Sequence, residues 1–234
     1  MQQEVSTLKP EPAMAALTAE TAAECLSLVG AGLTGTHALL LDAAGGPIPQ
    51  LPGIGRWTVL RLSGGKAQLE GPLRADVGNL PFADGSFSLV LIRRLGGAGA
   101  SVEALAAEGM RVLASHGVLL AIEFHPLSLW RGWLKRRARH GGDALLAVPP
   151  RRWEAALRAN GSVVRALRRC GAPWPRGKGT RGLPHWSVEL AGAVYLLKAR
   201  KRDQGGIVRR LGPKRTRAAR EQVPWAPGAQ RTNL

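Results

Sequence analysis

The 234-residue chain predicts an α/β fold, a doubly wound and mostly parallel sheet of seven strands with a Rossmann-like order of elements. Three observations lead there. The segments HALLLD (37–42), SFSLVLI (86–92) and HGVLLAIEF (116–124) are short and nearly continuous in apolar residues, the pattern of strands covered on both faces. Between the last two, SVEALAAEGMRVL (101–113) sets Leu105, Ala106, Met110 and Leu113 on one helical stripe, so strand, helix and strand form a parallel crossover unit. The composition suits a buried core: 45% of residues are apolar and 21% charged. No apolar run approaches the ~18 residues that span a bilayer.

The remaining elements follow in order. Residues 1–13, with Pro10 and Pro12 among polar neighbours, read as a loose leader. LTAETAAECLSLV (17–29) is Ala-rich and free of Gly and Pro, with Thr21 and Glu24 spaced as a capping box, and predicts a helix ending at Gly30 and Gly32. WTVLRLS (57–63) and LRAD (73–76) are further strands bounded by turn residues. SLWRGWLKRRARH (128–140) is rich in Trp and Arg. PPRRWEAALRANG (149–161) is a helix opened by Pro149 and Pro150 and closed by Asn160 and Gly161. SVVRALRRC (162–170) and GAVYLLKARKR (192–202) pair as an antiparallel hairpin across a loop holding Pro173, Pro175 and Pro184, which brings the strands to seven. From Asp203 onward aliphatic residues are few and basic ones many, so a disordered tail is expected. The organisation predicted is a leader (1–13), an α/β domain (14–202) and a basic tail (203–234).

Charge is unevenly placed. Residues 1–130 hold 8 basic and 11 acidic side chains, whereas 131–181 hold 14 basic and 2 acidic. The whole chain stands at +17. Such a half offers an alternative function, an RNA- or ribosome-associated binding protein that holds phosphates by counterion release, with Trp130, Trp133 and Trp153 as stacking groups among Arg137, Arg151 and Arg152 and the tail as a second contact. Core packing is the competing reading of those tryptophans. Arg supplies 26 of the 33 basic residues, alongside abundant Ala, Gly and Pro, which is equally a compositional bias without a binding role. Cys25 and Cys170 have no CxxC pairing and no clustered His, so neither a disulfide framework nor a metal site is indicated. Glu4 and Glu11 stand where a secretory leader has a basic start, and a soluble, cytoplasmic protein is expected.

The most specific segment is DVGNLPFADGSFSLVLI (76–92). Its Asp76, Leu80, Pro81, Phe82, Asp84, Gly85, Phe87, Leu89 and Val90 resemble a motif of class I S-adenosylmethionine-dependent methyltransferases of the type 11 kind. EGMRVLASHGVLLAIEFHPLSLW (108–130) resembles the helix and fifth strand of the same family, and HPLSLWRG (125–132) resembles the Asn-Pro-x-Ser-Leu-Trp-Gly stretch of one bacterial subgroup. The resemblance spans about residues 37–200.

This resemblance implies S-adenosyl-L-methionine as cofactor and methyl transfer to a small-molecule acceptor, with Asp42, Gly45, Gly46, Asp76 and Val77 lining the cofactor. Asp76 would accept a hydrogen bond from the adenine amino group. The physical reasoning agrees, because ligands of open parallel sheets sit beyond the carboxyl ends of the strands where strand order reverses. Side chains there that could serve the acceptor are Glu123 and His125 as bases and Arg93 and Arg94 as anion holders. Alternatively, His125 is a surface or loop histidine with no catalytic duty, Glu123 a strand-end carboxylate facing solvent, and the arginines part of the basic surplus.

The chain departs from the family pattern in three places. Asp42 is followed by Ala43-Ala44-Gly45-Gly46, one glycine short of the usual turn, and then by Pro47, Pro49 and Pro52, which shorten or abolish the next helix. The second strand ends in Leu62 and Ser63 in place of the acid that binds the ribose hydroxyls. Ser88 replaces the usual Asp of the fourth family strand. These departures motivate an alternative, a catalytically inactive pseudo-methyltransferase.

Overall fold

The computed structural model describes residues 12–29, 33, 35–43, 45–63, 68–139 and 145–202. Their elements are α1 (Pro12–Val29), β1 (His37–Asp42), β2 (Arg56–Ser63), β3 (Gln68–Glu70), β4 (Arg74–Asp76), β5 (Phe87–Arg93), α2 (Val102–Val112), β6 (Leu113–Phe124), α3 (Trp130–Arg139), α4 (Pro150–Ala159), β7 (Ser162–Cys170), α5 (His185–Ala191) and β8 (Val194–Lys201). None of these helices is long and apolar enough to cross a membrane. The expected tail lies outside the described residues, as does the leader except for Pro12 and Ala13, which belong to α1.

The strands form one sheet in the order β4-β3-β2-β1-β5-β6-β8-β7. Eight strands among the described residues correct the expected seven, and parallel pairing is confined to the middle four, β2-β1-β5-β6. The outer pairs are antiparallel. The extra strand arises because the chain after β2 turns back through β3 and β4 as an antiparallel meander, where a crossover helix would have kept the pairing parallel. At the other edge β7 and β8 pair antiparallel as expected, with Leu167 opposite Leu197.

Side chains alternate between two cores, which makes the sheet doubly wound. Leu39, Leu41, Val90, Ile92 and Leu119 pack with residues of α2 and α4, including Leu105, Met110, Trp153 and Leu157. Ala38, Leu40, Leu89, Leu91 and Leu120 pack on the opposite face with Leu17 and Cys25 of α1 and Trp130 and Leu134 of α3. Every residue of β5 is buried, which is why its sequence is apolar without alternation. Each such Leu or Ile contributes about 1.5–3 kcal/mol on leaving water.

Local signals explain most element ends. Ser101 caps α2 by accepting from the Ala104 N–H at 3.2 Å. Gly161 takes a φ of +72° after α4, the left-handed stop its position predicts. Thr21 and Glu24 correct the expectation of a capping box. Both lie inside α1, which begins earlier than position 17, and the Thr21 hydroxyl donates to the Leu17 carbonyl at 2.6 Å.

Arg111 joins the two most distinctive sequence blocks. It donates through Nη1 to the Phe82 carbonyl and through Nη2 to the Leu80 carbonyl, both at 2.8 Å, and it pairs with Asp84 at 2.7 Å. Glu108, one turn earlier, accepts from the Leu80 N–H at 2.8 Å and from Arg111. The Leu-Pro-Phe loop is thereby held against α2, and β4 and β5 are tied to the crossover helix that follows them.

Candidate functional site

β1 is the switch point, with β2 on one side and β5, its next parallel partner, on the other. The carboxyl ends of β1 and β5 meet there, joined by a bond from the Ala43 N–H to the Arg93 carbonyl at 3.0 Å. Asp42 is fully buried and Arg93 is 3% exposed. Arg93 grips Asp42 side-on, Nε to Oδ1 at 2.8 Å and Nη2 to Oδ2 at 2.6 Å, and its Nη1 donates to the Pro47 carbonyl at 3.2 Å. Arg61, opposite Asp42 on β2, stands 4.0 Å from the same carboxylate.

Beyond this ion pair lies the glycine turn. Gly45 and Gly46 have φ of +66° and +113°, a region that L side chains rarely adopt. A Cβ at Gly45 would meet nothing within 4 Å, whereas one at Gly46 would come 3.2 Å from Thr18 Cγ2 of α1. Residues 45–55 contain no helix, as Pro47, Pro49 and Pro52 require.

Asp76 sits at the edge. It pairs with Gln68 of β3, which pairs with Ser63, so it is level with the carboxyl end of β2. Three strand spacings separate β4 from β1, about 14 Å at the usual separation. Asp76 is exposed and lines an open cavity of about 380 Å³ with Gln68, Glu70, Arg74, Asn79 and Pro81. Val77, its neighbour, is 3% exposed and points into the core. Gly45, Gly46 and Asp76 therefore face solvent along the carboxyl end of the sheet, and Asp42 and Val77 lie beneath it.

The acceptor-side candidates are all buried. Glu123 is fully buried, which corrects the picture of a solvent-facing strand end, and accepts from the N–H groups of Gly96 at 2.8 Å and Gly97 at 3.2 Å. Burial pushes its carboxyl up to about 8, against the lowering effect of those two N–H groups. His125 is 4% exposed, so it is no surface histidine. Its Nδ1 accepts from the Leu127 N–H at 3.2 Å, which assigns the proton to Nε2. Burial, with Arg169 nearby, lowers its pKa. Ser88, where the family carries Asp, donates to the His37 carbonyl at 2.8 Å.

Arg94 follows Arg93 but turns toward β6 and α1. Its N–H donates to the Ile122 carbonyl, and its Cζ lies 5.0 Å from the centre of the Phe124 ring. Of the tryptophans, Trp130 and Trp153 are core residues at 1% and 0% exposure, and Trp130 donates to the Ala172 carbonyl. That removes two of the three stacking groups a nucleic-acid face would use. Trp133 is half-buried beneath Arg137, and Arg152 is engaged with Glu103. Sequence reasoning missed Met14 and Thr18 of α1, which reach the Arg94 side chain and the Gly46 turn respectively. No local motif marks them, because only the packing of α1 against the strand ends brings them there.

No protein-family model matches this sequence, and no curated protein matches it. Solved structures do. A protein from Bacillus halodurans provisionally named a methyltransferase superposes with a TM-score of 0.51 at 17% identity, covering 77% of this chain and 98% of its own. An S-adenosylmethionine-dependent methyltransferase from Mesorhizobium loti superposes with a TM-score of 0.52 at 14% identity, covering 79% and 100%. The chain has the fold of the class I S-adenosylmethionine-dependent methyltransferases.

Proposed function

We propose that the protein transfers a methyl group from S-adenosyl-L-methionine to a small-molecule acceptor. The observation that carries this reading is the Gly45–Gly46 turn, left-handed at both residues and placed at the switch point of a methyltransferase fold. The residues present fit the cofactor in kind. Gly45 leaves room for a ligand to approach the backbone closely, and Asp76 offers an exposed acceptor in an open cavity on the same rim. Gly45, Gly46 and Asp76 would hold the donor. Asp42 would act from below, by fixing Arg93 under the turn, and Val77 by packing under the Asp76 cavity.

Bound S-adenosylmethionine supplies a methyl group already activated on a sulfonium, so what the protein must contribute is alignment and exclusion of water. Glu123 holds the loop after β5 through Gly96 and Gly97, and His125 is committed through Nδ1. The reading therefore contains no side-chain base. Isothermal titration of the full chain with S-adenosylhomocysteine tests it. Micromolar binding weakened at least ~10-fold by Asp76→Ala is expected, and absence of binding at millimolar ligand overturns it.

Two observations favour a second reading, a noncatalytic protein on the same fold. The carboxylate at the end of β1 is buried and gripped by Arg93 through both oxygens, and Ser63 stands at the end of β2 where the resemblance leads one to expect an acid. The same titration decides between the two.

A further inference from the structure

Two arginines leave β5 side by side, and only one is hydrogen-bonded to a carboxylate. Arg93 holds Asp42 with Nε and Nη2, the edge of a guanidinium whose two N–H groups match the two oxygens of a carboxylate. Arg94 presents the same edge to nothing. It is 1% exposed, and both its Nε and its Nη2 are buried without a hydrogen-bond partner. Its one side-chain hydrogen bond goes from Nη1 to the Met14 thioether, a weak acceptor, at 3.1 Å. Of the two acids whose charge reaches it, Asp42 is gripped by Arg93 and Glu123 accepts from the N–H groups of Gly96 and Gly97. Proteins seldom leave buried donors unanswered on a charged group. Here the residue also sits at φ +61°, a left-handed conformation uncommon for any residue with a side chain.

The surroundings select among anions. Met14, Phe124 and, 6.0 Å beyond Phe124, the Trp130 ring make apolar walls. Burial lowers the Arg94 pKa only to about 10, so it is a cation at neutral pH. A single guanidinium whose acidic neighbours bond elsewhere calls for one negative charge, because a dianionic phosphate would bring an uncompensated charge out of water. The location separates this group from the donor rim. Arg94 lies on the β6 side of β5, whereas Gly45 and Gly46 follow β1.

We infer that Arg94 is the anchor for a carboxylate of the methyl acceptor, received side-on by Nε and Nη2 after Met14 moves aside. Calling that ligand the acceptor rests on the methyl-transfer reading; the carboxylate site itself does not.

The test uses benzoate as probe on the full chain, with thermal unfolding followed at matched ionic strength against chloride and phosphate. Saturable stabilisation by benzoate beyond both controls is expected, together with a shift of the Arg94 Nε–H resonance on titration. Arg94→Met should be at least as stable as the parent without benzoate and should lose the benzoate response. Arg94→Lys, which keeps charge without the fork, should weaken it at least ~10-fold. Equal effects of benzoate and chloride with an unmoved Nε–H resonance, or a benzoate response that survives in Arg94→Met, would overturn the site. Phosphate acting as strongly as benzoate would overturn the choice of carboxylate. S-adenosylhomocysteine titrated in parallel should bind Arg94→Met as it binds the parent. Loss of that binding in the variant alone would assign the carboxylate to the donor and overturn the acceptor. A parent that responds to benzoate but never binds S-adenosylhomocysteine would remove the methyl-transfer reading and leave the carboxylate site standing.

Discussion

Arg93 and Asp42 form a two-point ion pair across the carboxyl ends of β5 and β1, with both side chains essentially out of solvent. Removing one partner of such a pair strands the other charge in a poorly solvated place, at a cost of about 3–5 kcal/mol. Asp42→Asn is expected to lose that much, the more so because Arg94 is the next residue. Arg93→Met is expected to lose less, since Arg61 stands 4.0 Å from Asp42. The double variant Asp42→Leu/Arg93→Met should recover most of the loss. Urea unfolding of the three variants measures this, and single-variant losses below about 1 kcal/mol would contradict it.

Glu123 makes stability depend on pH in the direction opposite to a surface-paired acid. Its carboxyl is raised to about 8 by burial, so the folded chain binds that proton more tightly than the unfolded chain does. The contribution is therefore fully present below the unfolded pKa of ~4.3 and is lost as pH rises through about 8. Glu123→Gln should flatten that slope. At pH 6 the variant should be less stable by ~1–3 kcal/mol, because an amide cannot accept from both Gly96 and Gly97. The gap should close toward pH 9. Denaturant titrations at several pH values would expose a parallel offset, which is the contrary result.

The Leu-Pro-Phe loop depends on Arg111. Its bonds to the Leu80 and Phe82 carbonyls are charge-assisted and only partly exposed, so Arg111→Ala should destabilise by ~1–3 kcal/mol. Amide hydrogen exchange should accelerate across residues 77–85 before it accelerates in β5. Unchanged exchange in that loop would mean that α2 does not hold it.

The parts of the fold legible in the sequence are those where local pattern and tertiary burial coincide. β1, β5 and β6 are continuous apolar runs because both faces are covered, and α4 carries its own start and stop in Pro150 and Gly161. β4 is legible as LRAD, but β3 and the antiparallel meander it makes are not, since Gln68–Glu70 is three residues long and a strand that short carries no periodicity. The Leu-Pro-Phe and Glu-x-x-Arg-Val-Leu blocks were found as separate motifs, and the structure makes them one contact through Arg111. Of the candidate site, Gly45, Gly46 and Asp76 lie on one rim as strand-end reasoning suggests. The states of Glu123, His125 and Arg94 were not readable, because burial and partner choice depend on α1 and on loops distant in sequence.

In the proposed reading the donor lies over the Gly45–Gly46 turn and reaches the Asp76 cavity. Hydrogen exchange of the full chain with and without S-adenosylhomocysteine tests it most directly. Ligand-dependent protection is expected in residues 43–47 and 74–79 and none along β7 and β8. Protection absent from both segments at millimolar ligand would contradict it.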